Sequence, residues 1–424
     1  MNKRLFFFII AVDRVMRSII ADFLRQMARD DEIPEGVEIF DAASGQEALH
    51  LFAVMFKTLP DKKVTYKGES IAPLPGRQAN AIVICDVEME PIGGRELLQA
   101  GMDDEIFRDM SFVLMTDKPD FGLVSELGEL GVTNILTKPL TMNKFSHAIR
   151  DVTAWVRSEE RRHYRKVEKL INSGEYQEAL MRIEKMESRY TGVRWVILRG
   201  RAHLGLNETQ SAKSYFEQAE MGAHIASIVA LKYIVQLYED SGETKKAIDS
   251  LIKLTRKSPN NVERRLRLSE LFIEDNRPEE AKAVLDLLEL EKRIVAKFRA
   301  RVADLLEKAG FIEEADNMKV LMIDSVLDDF VFCNNVAVSL RKQGRYEKAD
   351  QIYRKIIKTH EDEPTVWFNR AVNLAAWGRK ERDSRMLNQA VDHFEMSLKL
   401  SPDYREADRA IQQLKKDIKA GFHQ

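Results

Sequence analysis

Cysteine is almost missing from this chain: Cys85 and Cys333 are the two in 424 residues, too few for a disulfide framework and without the paired spacing of a metal-binding module. That excludes stapled secreted domains and zinc modules, and it implies a reducing compartment, read here as the cytoplasm. Long apolar runs are missing too. The longest, "LFFFIIAV" from Leu5 to Val12, falls far short of the ~20 residues a membrane span needs. Two basic residues precede it, as in a signal peptide, but "DRVMRS" follows with no small-residue cleavage site, so a first buried strand explains it better. No excess of either charge exists overall: 66 Lys and Arg meet 68 Asp and Glu, a net of −2, which argues against nucleic acid as the main partner. Residues 1–157 hold 18 basic against 24 acidic residues and the remainder 48 against 44, an acidic first part and a mildly basic second. With 44% hydrophobic and 32% charged residues, the chain has room for two or three soluble domains.

What is present divides by period. Up to about residue 150, apolar runs alternate with helical patterns: "LFFFIIAV", "GVEIF", "AIVIC", "SFVLM" and "VTNIL" each precede an amphipathic stretch. Strict alternation of five strands and five helices specifies a parallel sheet covered on both faces. One segment, "KTLPDKKVTYKGESIAPLPGRQAN" at residues 57–80, carries three Pro and two Gly and reads as a long exposed loop.

From residue 158 the strand signals stop and a repeat begins. Ala179, Ala212, Ala247, Ala281, Ala315, Ala349 and Ala390 mark the second helix of each unit, at gaps of 33, 35, 34, 34, 34 and 41. Gly174, Gly242, Gly310, Gly344 and Gly378 fall where paired helices should turn, and "RKERDSRML" reads as an enlargement of the last turn. A 34-residue period of helix pairs is that of the tetratricopeptide repeat (TPR), about seven units stacking into a superhelix with a concave groove. The alanines are read as structural, at close helix approaches. Domains at 1–155 and 158–424 follow.

"AIVICDVEMEPIGG" ends a buried strand on Asp86, at the carboxyl edge of the sheet where open α/β folds bind ligands. A lone acid there also fits a turn cap. Thr116 ends the fourth strand in "SFVLMTD", and Lys138 ends the fifth in "NILTKP". On these three residues, with Met89 and the Gly93–Gly94 turn, residues 3–155 resemble a response-regulator receiver domain, a flavodoxin-like five-stranded parallel sheet. The resemblance implies phosphorylation of Asp86, a switch hydroxyl at Thr116, Lys138 pairing with the carboxylate and then the phosphoryl group, and a cis peptide before Pro139. It also implies Mg²⁺. The family's two acids fall on Ala11 and Val12, so a turn shortened by one residue would bring Asp13 in as a lone acid beside Asp86 and the Glu88 carbonyl. Ile135 stands where many receivers have an aromatic residue that reorients.

The function expected is that of a two-component phosphorelay response regulator with a protein-binding output, not an enzyme. Its partners would be a histidine kinase or phosphotransfer protein and a protein or peptide in the repeat groove, where Asn369 and Arg370 in "WFNRAV" resemble a carboxylate clamp. The alternative is a scaffold whose receiver is never phosphorylated. The stretch from Asn143 to Gly174 has no Pro, and its only Gly is the last residue, so the last receiver helix is expected to run into or abut the first repeat helix, where phosphorylation would alter orientation or a homodimer contact.

Overall fold

The computed structural model describes residues 5–34, 37–57, 64–67, 69–71, 80–104, 109–130, 132, 134–290, 294 and 296–420. They fall into two compact units, 1–261 and 262–424. Among them no helix is long and apolar enough to cross a membrane.

The first unit begins with the alternating pattern. Strands β1 (Phe6–Ile10), β2 (Glu38–Ala42), β5 (Ala81–Asp86), β6 (Ser111–Thr116) and β7 (Asn134–Thr137) form one parallel sheet in the order β2-β1-β5-β6-β7. Helices α1 (Arg14–Arg29), α2 (Gly45–Lys57), α3 (Gly94–Asp103), α4 (Phe121–Glu129) and α5 (Met142–Arg157) cover it. The period of two along β1 explains why the strand is apolar throughout. Phe6, Phe8 and Ile10 join a core with α2, α3 and α4, whereas Phe7 and Ile9 join a second core with α1 and α5. Every residue of β1 is at most 1% exposed.

The segment read as a long loop is not wholly irregular. β3 (Val64–Tyr66) and β4 (Glu69–Ile71) pair antiparallel, and the Tyr66 hydroxyl donates to Glu47 Oε1 at 2.7 Å, tying this hairpin to α2. Residues 58–63, 68 and 72–79 of that segment lie outside the described residues.

After α5 the chain breaks at one residue. Ser158 is extended (ψ 150°), and its hydroxyl accepts from the Arg161 amide at 3.0 Å, capping α6 (Glu159–Asn172). The two helices abut and are not continuous. Helix pairs follow in the first unit: α6 with α7 (Tyr176–Met186), α8 (Val193–Gly205) with α9 (Thr209–Glu220), and α10 (His224–Asp240) with α11 (Thr244–Lys257). The second unit holds α12 (Val262–Glu274) with α13 (Pro278–Leu290), α14 (Ala296–Lys308) with α15 (Ile312–Val320), α16 (Phe330–Lys342) with α17 (Tyr346–Thr359), and α18 (Pro364–Glu381) with α19 (Ser384–Leu400), then a lone α20 (Arg405–Ala420). All seven marker alanines are 0% exposed.

Gly174, Gly242, Gly310 and Gly344 adopt positive φ and end the first helix of their pairs, as a left-handed cap requires. Asn207, Asn276 and Arg382 take the same conformation in the other three pairs. Gly378 does not turn the chain. It lies inside α18, where a Cβ would come within 2.9 Å of Leu387. The residues expected to enlarge the last turn instead lengthen α18 and α19, which meet across Arg382 and Asp383. The two cysteines are buried, Cys85 on β5 in the first unit and Cys333 on α16 in the second.

Candidate functional site

Three strand ends converge at the carboxyl edge of the sheet. Asp86 closes β5, opposite Met115 in β6, while Thr116 pairs with Thr137 in β7. The ladder continues past the strands: the Val87 amide donates to Met115 O (2.8 Å) and the Lys138 amide to Thr116 O (3.0 Å). These bonds fix where the three side chains leave the backbone. The turn to α3 is glycine for steric reasons, since a Cβ on Gly93 or Gly94 would stand 2.5 Å from Val87 O or 2.6 Å from Asp86 O.

Lys138 Nζ donates to Asp86 Oδ2 at 2.5 Å, and both side chains are largely buried, 17% and 12% exposed. Lys138 also stands 3.8 Å from Asp117, an acid that the sequence reading passed over although it follows Thr116 directly. Asp86 Oδ1 is buried and has no hydrogen-bond partner among the described residues. Thr116 is fully buried, its Oγ1 accepting from the Lys118 amide at 3.2 Å. The Lys138–Pro139 peptide is cis. Neighbouring Cys85 is driven towards the neutral thiol, chiefly by burial. Ile135 is half-buried against the core shared with α2, α3 and α4.

The metal positions look different. Ala11 is buried, Val12 is exposed, and Asp13 caps α1, its Oδ1 accepting from the Val15 amide at 2.8 Å. Arg17 holds the loop instead: its Nη1 donates to the carbonyls of Ala11 (2.6 Å) and Val12 (2.9 Å), and its Nε to Asp41 (2.9 Å). A guanidinium thus binds the backbone of the two positions at which the resemblance asked for carboxylates. Glu88 lies two residues past Asp86 with its side chain exposed. Among the described residues no three His, Cys, Asp or Glu side chains group closely enough to hold a metal ion. The donor set does not fit Mg²⁺, which favours several oxygen ligands in near-octahedral geometry.

The expected peptide clamp is not free either. Asn369 donates to Asn334 at 3.0 Å, and Arg370 donates to Asp350 at 2.8 Å, an acid 3% exposed that also accepts from Arg354 at 2.6 Å. The Asn369–Asn334 and Arg370–Asp350 pairs join one repeat to the next, so both clamp side chains already have partners within the array.

Two models of the tetratricopeptide repeat match residues 238–308 and 335–362. A probable chemotaxis protein CheY from Rhizobium etli is 27% identical over 133 residues, covering 31% of this chain and 95% of that protein. Among solved structures, Vibrio cholerae CheY4 is similar at 18% identity over 35% of this chain and 98% of its own, TM-score 0.26. A tetratricopeptide repeat protein from Parabacteroides merdae is similar at 15% identity over 60% of this chain and 98% of its own, TM-score 0.32.

Proposed function

We propose that this chain, a CheY-like receiver followed by tetratricopeptide repeats, is a response regulator phosphorylated on Asp86 whose output is protein binding by the repeats. We place the receiver at 1–155 and the repeats at 158–424. The observation that carries the reading is the split environment of one carboxylate: Lys138 holds Oδ2, and buried Oδ1 has no donor among the described residues. A nucleophile held by one oxygen and without a hydrogen-bond donor at the other keeps that oxygen's lone pairs for attack on a phosphoryl group once a donor reaches it. Oδ1 would form the new O–P bond as the P–N bond of a phosphohistidine donor breaks, the departing imidazole keeping the electron pair. Lys138 would then balance charge on the phosphoryl oxygens, and the Thr116 hydroxyl would leave the Lys118 amide to donate to one of them. The donor is a histidine kinase or phosphotransfer protein, acting in the cytoplasm. The reading does not rest on Mg²⁺.

A scaffold that is never phosphorylated is the second reading, favoured by Ala11 and Val12 at the acid positions. Incubation with acetyl phosphate and with candidate kinases decides between them. A hydroxylamine-labile phosphate present in the parent and lost in Asp86→Asn supports the first reading; no phosphate under any donor supports the second.

A further inference from the structure

Within the first unit the receiver rests on the first helices of three repeats. The Arg161 guanidinium, on α6, donates to the Asp109 carbonyl at 2.9 Å, and Arg165 one turn later pairs with the Asp109 carboxylate. Arg161 is 6% exposed, and burial holds its pKa down at about 10. Farther along, Ser125 on α4 shares a 2.9 Å hydrogen bond with His224 on α10, and Gly128 sits so close that a Cβ would come within 2.8 Å of Ile225.

Between these contacts lies a cavity of about 860 Å³. Its repeat wall carries Arg161, Arg165, Arg194 and Arg201 against one acid, Glu168. Among the described residues its receiver wall carries Asp109 and Asp151 and no cation. The receiver thus presents acids to a cationic face, as a bound anionic ligand would. Arg194 also covers the Trp155 ring at 4.4 Å, adding a stacking surface.

We propose that this face of α6, α8 and α10 binds an acidic segment of a partner protein and that the receiver is its resident occupant, with Asp109 in the place of the partner's carboxylate. When the receiver leaves, Arg161 and Arg165 lose these acceptors, and an anionic partner is the chemistry that replaces them. The route of control rests on phosphorylation of Asp86. β6 runs from Ser111, on the cavity wall, to Thr116, in the site, and α4 begins five residues later before reaching His224. A displacement of Thr116 therefore acts on the strand and helix that hold the receiver in place.

The test uses the full chain with a Gly128→Phe wedge, which leaves the charge unchanged, combined with Asp109→Ala, which removes one negative charge, and compares it with Asp109→Ala alone. Hydrogen exchange in α6 should quicken about tenfold, and a fluorescein-labelled polyglutamate peptide at low salt should bind about tenfold tighter than to the parent, the gain vanishing when Arg161→Gln and Arg165→Gln are added. Faster exchange without tighter binding, unchanged exchange, or a gain that survives loss of both arginines overturns the proposal. Should the wedge prevent folding, Asp109→Ala alone gives the same readouts. Acetyl phosphate should produce the same opening in the parent and not in Asp86→Asn. Phosphate on Asp86 with unaltered α6 protection overturns the control step. No phosphate at all counts against phosphorylation of Asp86, and the wedge variant then decides the binding face.

Discussion

Lys138 Nζ stands 2.5 Å from Asp86 Oδ2, and the two residues come from strand ends with β6 between them. Neither residue reaches the other without the parallel register that brings β5, β6 and β7 to one edge.

Removing the cation leaves a mostly buried carboxylate without its counter-charge. Lys138→Ala should cost about 2–3 kcal/mol in urea unfolding, somewhat less than a fully buried pair. It should also slow phosphorylation, whereas Asp86→Asn abolishes it. Phosphorylation of Lys138→Ala at the parental rate would remove the lysine from the mechanism.

Asp13 separates two roles that the sequence could not. As the cap of α1, its replacement by Ala should cost about 1 kcal/mol, and Asp13→Ser should restore most of that. A metal ligand behaves otherwise, since serine supplies no carboxylate. Calorimetric Mg²⁺ titration alongside thermal melts distinguishes them: equal loss of Mg²⁺ affinity in both variants would restore Asp13 as a ligand.

Arg382 holds the left-handed turn between α18 and α19 with φ 56°. Arg382→Gly should stabilise the chain by about 0.5 kcal/mol, the relief of backbone strain exceeding the entropy glycine adds to the unfolded chain. Gly344→Ala, at φ 76°, should cost about 1 kcal/mol. Chemical denaturation measures both, and destabilisation by the first change would contradict the capping account.

His393 packs beside Trp367 with ring centroids 5.2 Å apart, and burial, helped by Arg370, lowers its pKa to about 4 from 6.5, against the opposing pull of Asp350. The unfolded chain therefore binds this proton first. Stability from this residue is complete above about pH 6.5 and declines as pH falls towards 4, by about 1 kcal/mol at pH 5 after allowing for partial exposure. Urea midpoints at pH 7.5 and 5 in the parent and His393→Gln isolate this part of the slope; identical slopes would refute it.

Much of this architecture could be read from local pattern. β1 is apolar at every position because both faces of its sheet are covered, and the spaced alanines mark fully buried positions in the second helix of each pair. The placement of Asp86 and Thr116 at strand ends, and of Lys138 just past one, was legible from the apolar runs that precede them. What escaped the sequence depends on partners distant in the chain or on degenerate signals. The β3–β4 hairpin is held by Tyr66 reaching Glu47. Arg370 looks like a ligand-binding residue until stacking brings Asp350 to it. Asn207 and Asn276 stand where glycine stands in four other repeats, a substitution that asparagine's tolerance of positive φ permits. Asp13 before a helix is equally a cap and an acid in search of a metal.

Each compact unit contains one buried thiol, Cys85 beside the candidate phosphoacceptor and Cys333 among the later repeats. The protein therefore carries its own two-channel reporter of local opening. Under pulsed alkylation, peptide mass spectrometry assigns every modified sulfur to one unit or the other. Should the later repeats fray independently in mild urea, Cys333 would label while Cys85 stayed silent; matched labelling rates would mean that the chain opens as a single cooperative body.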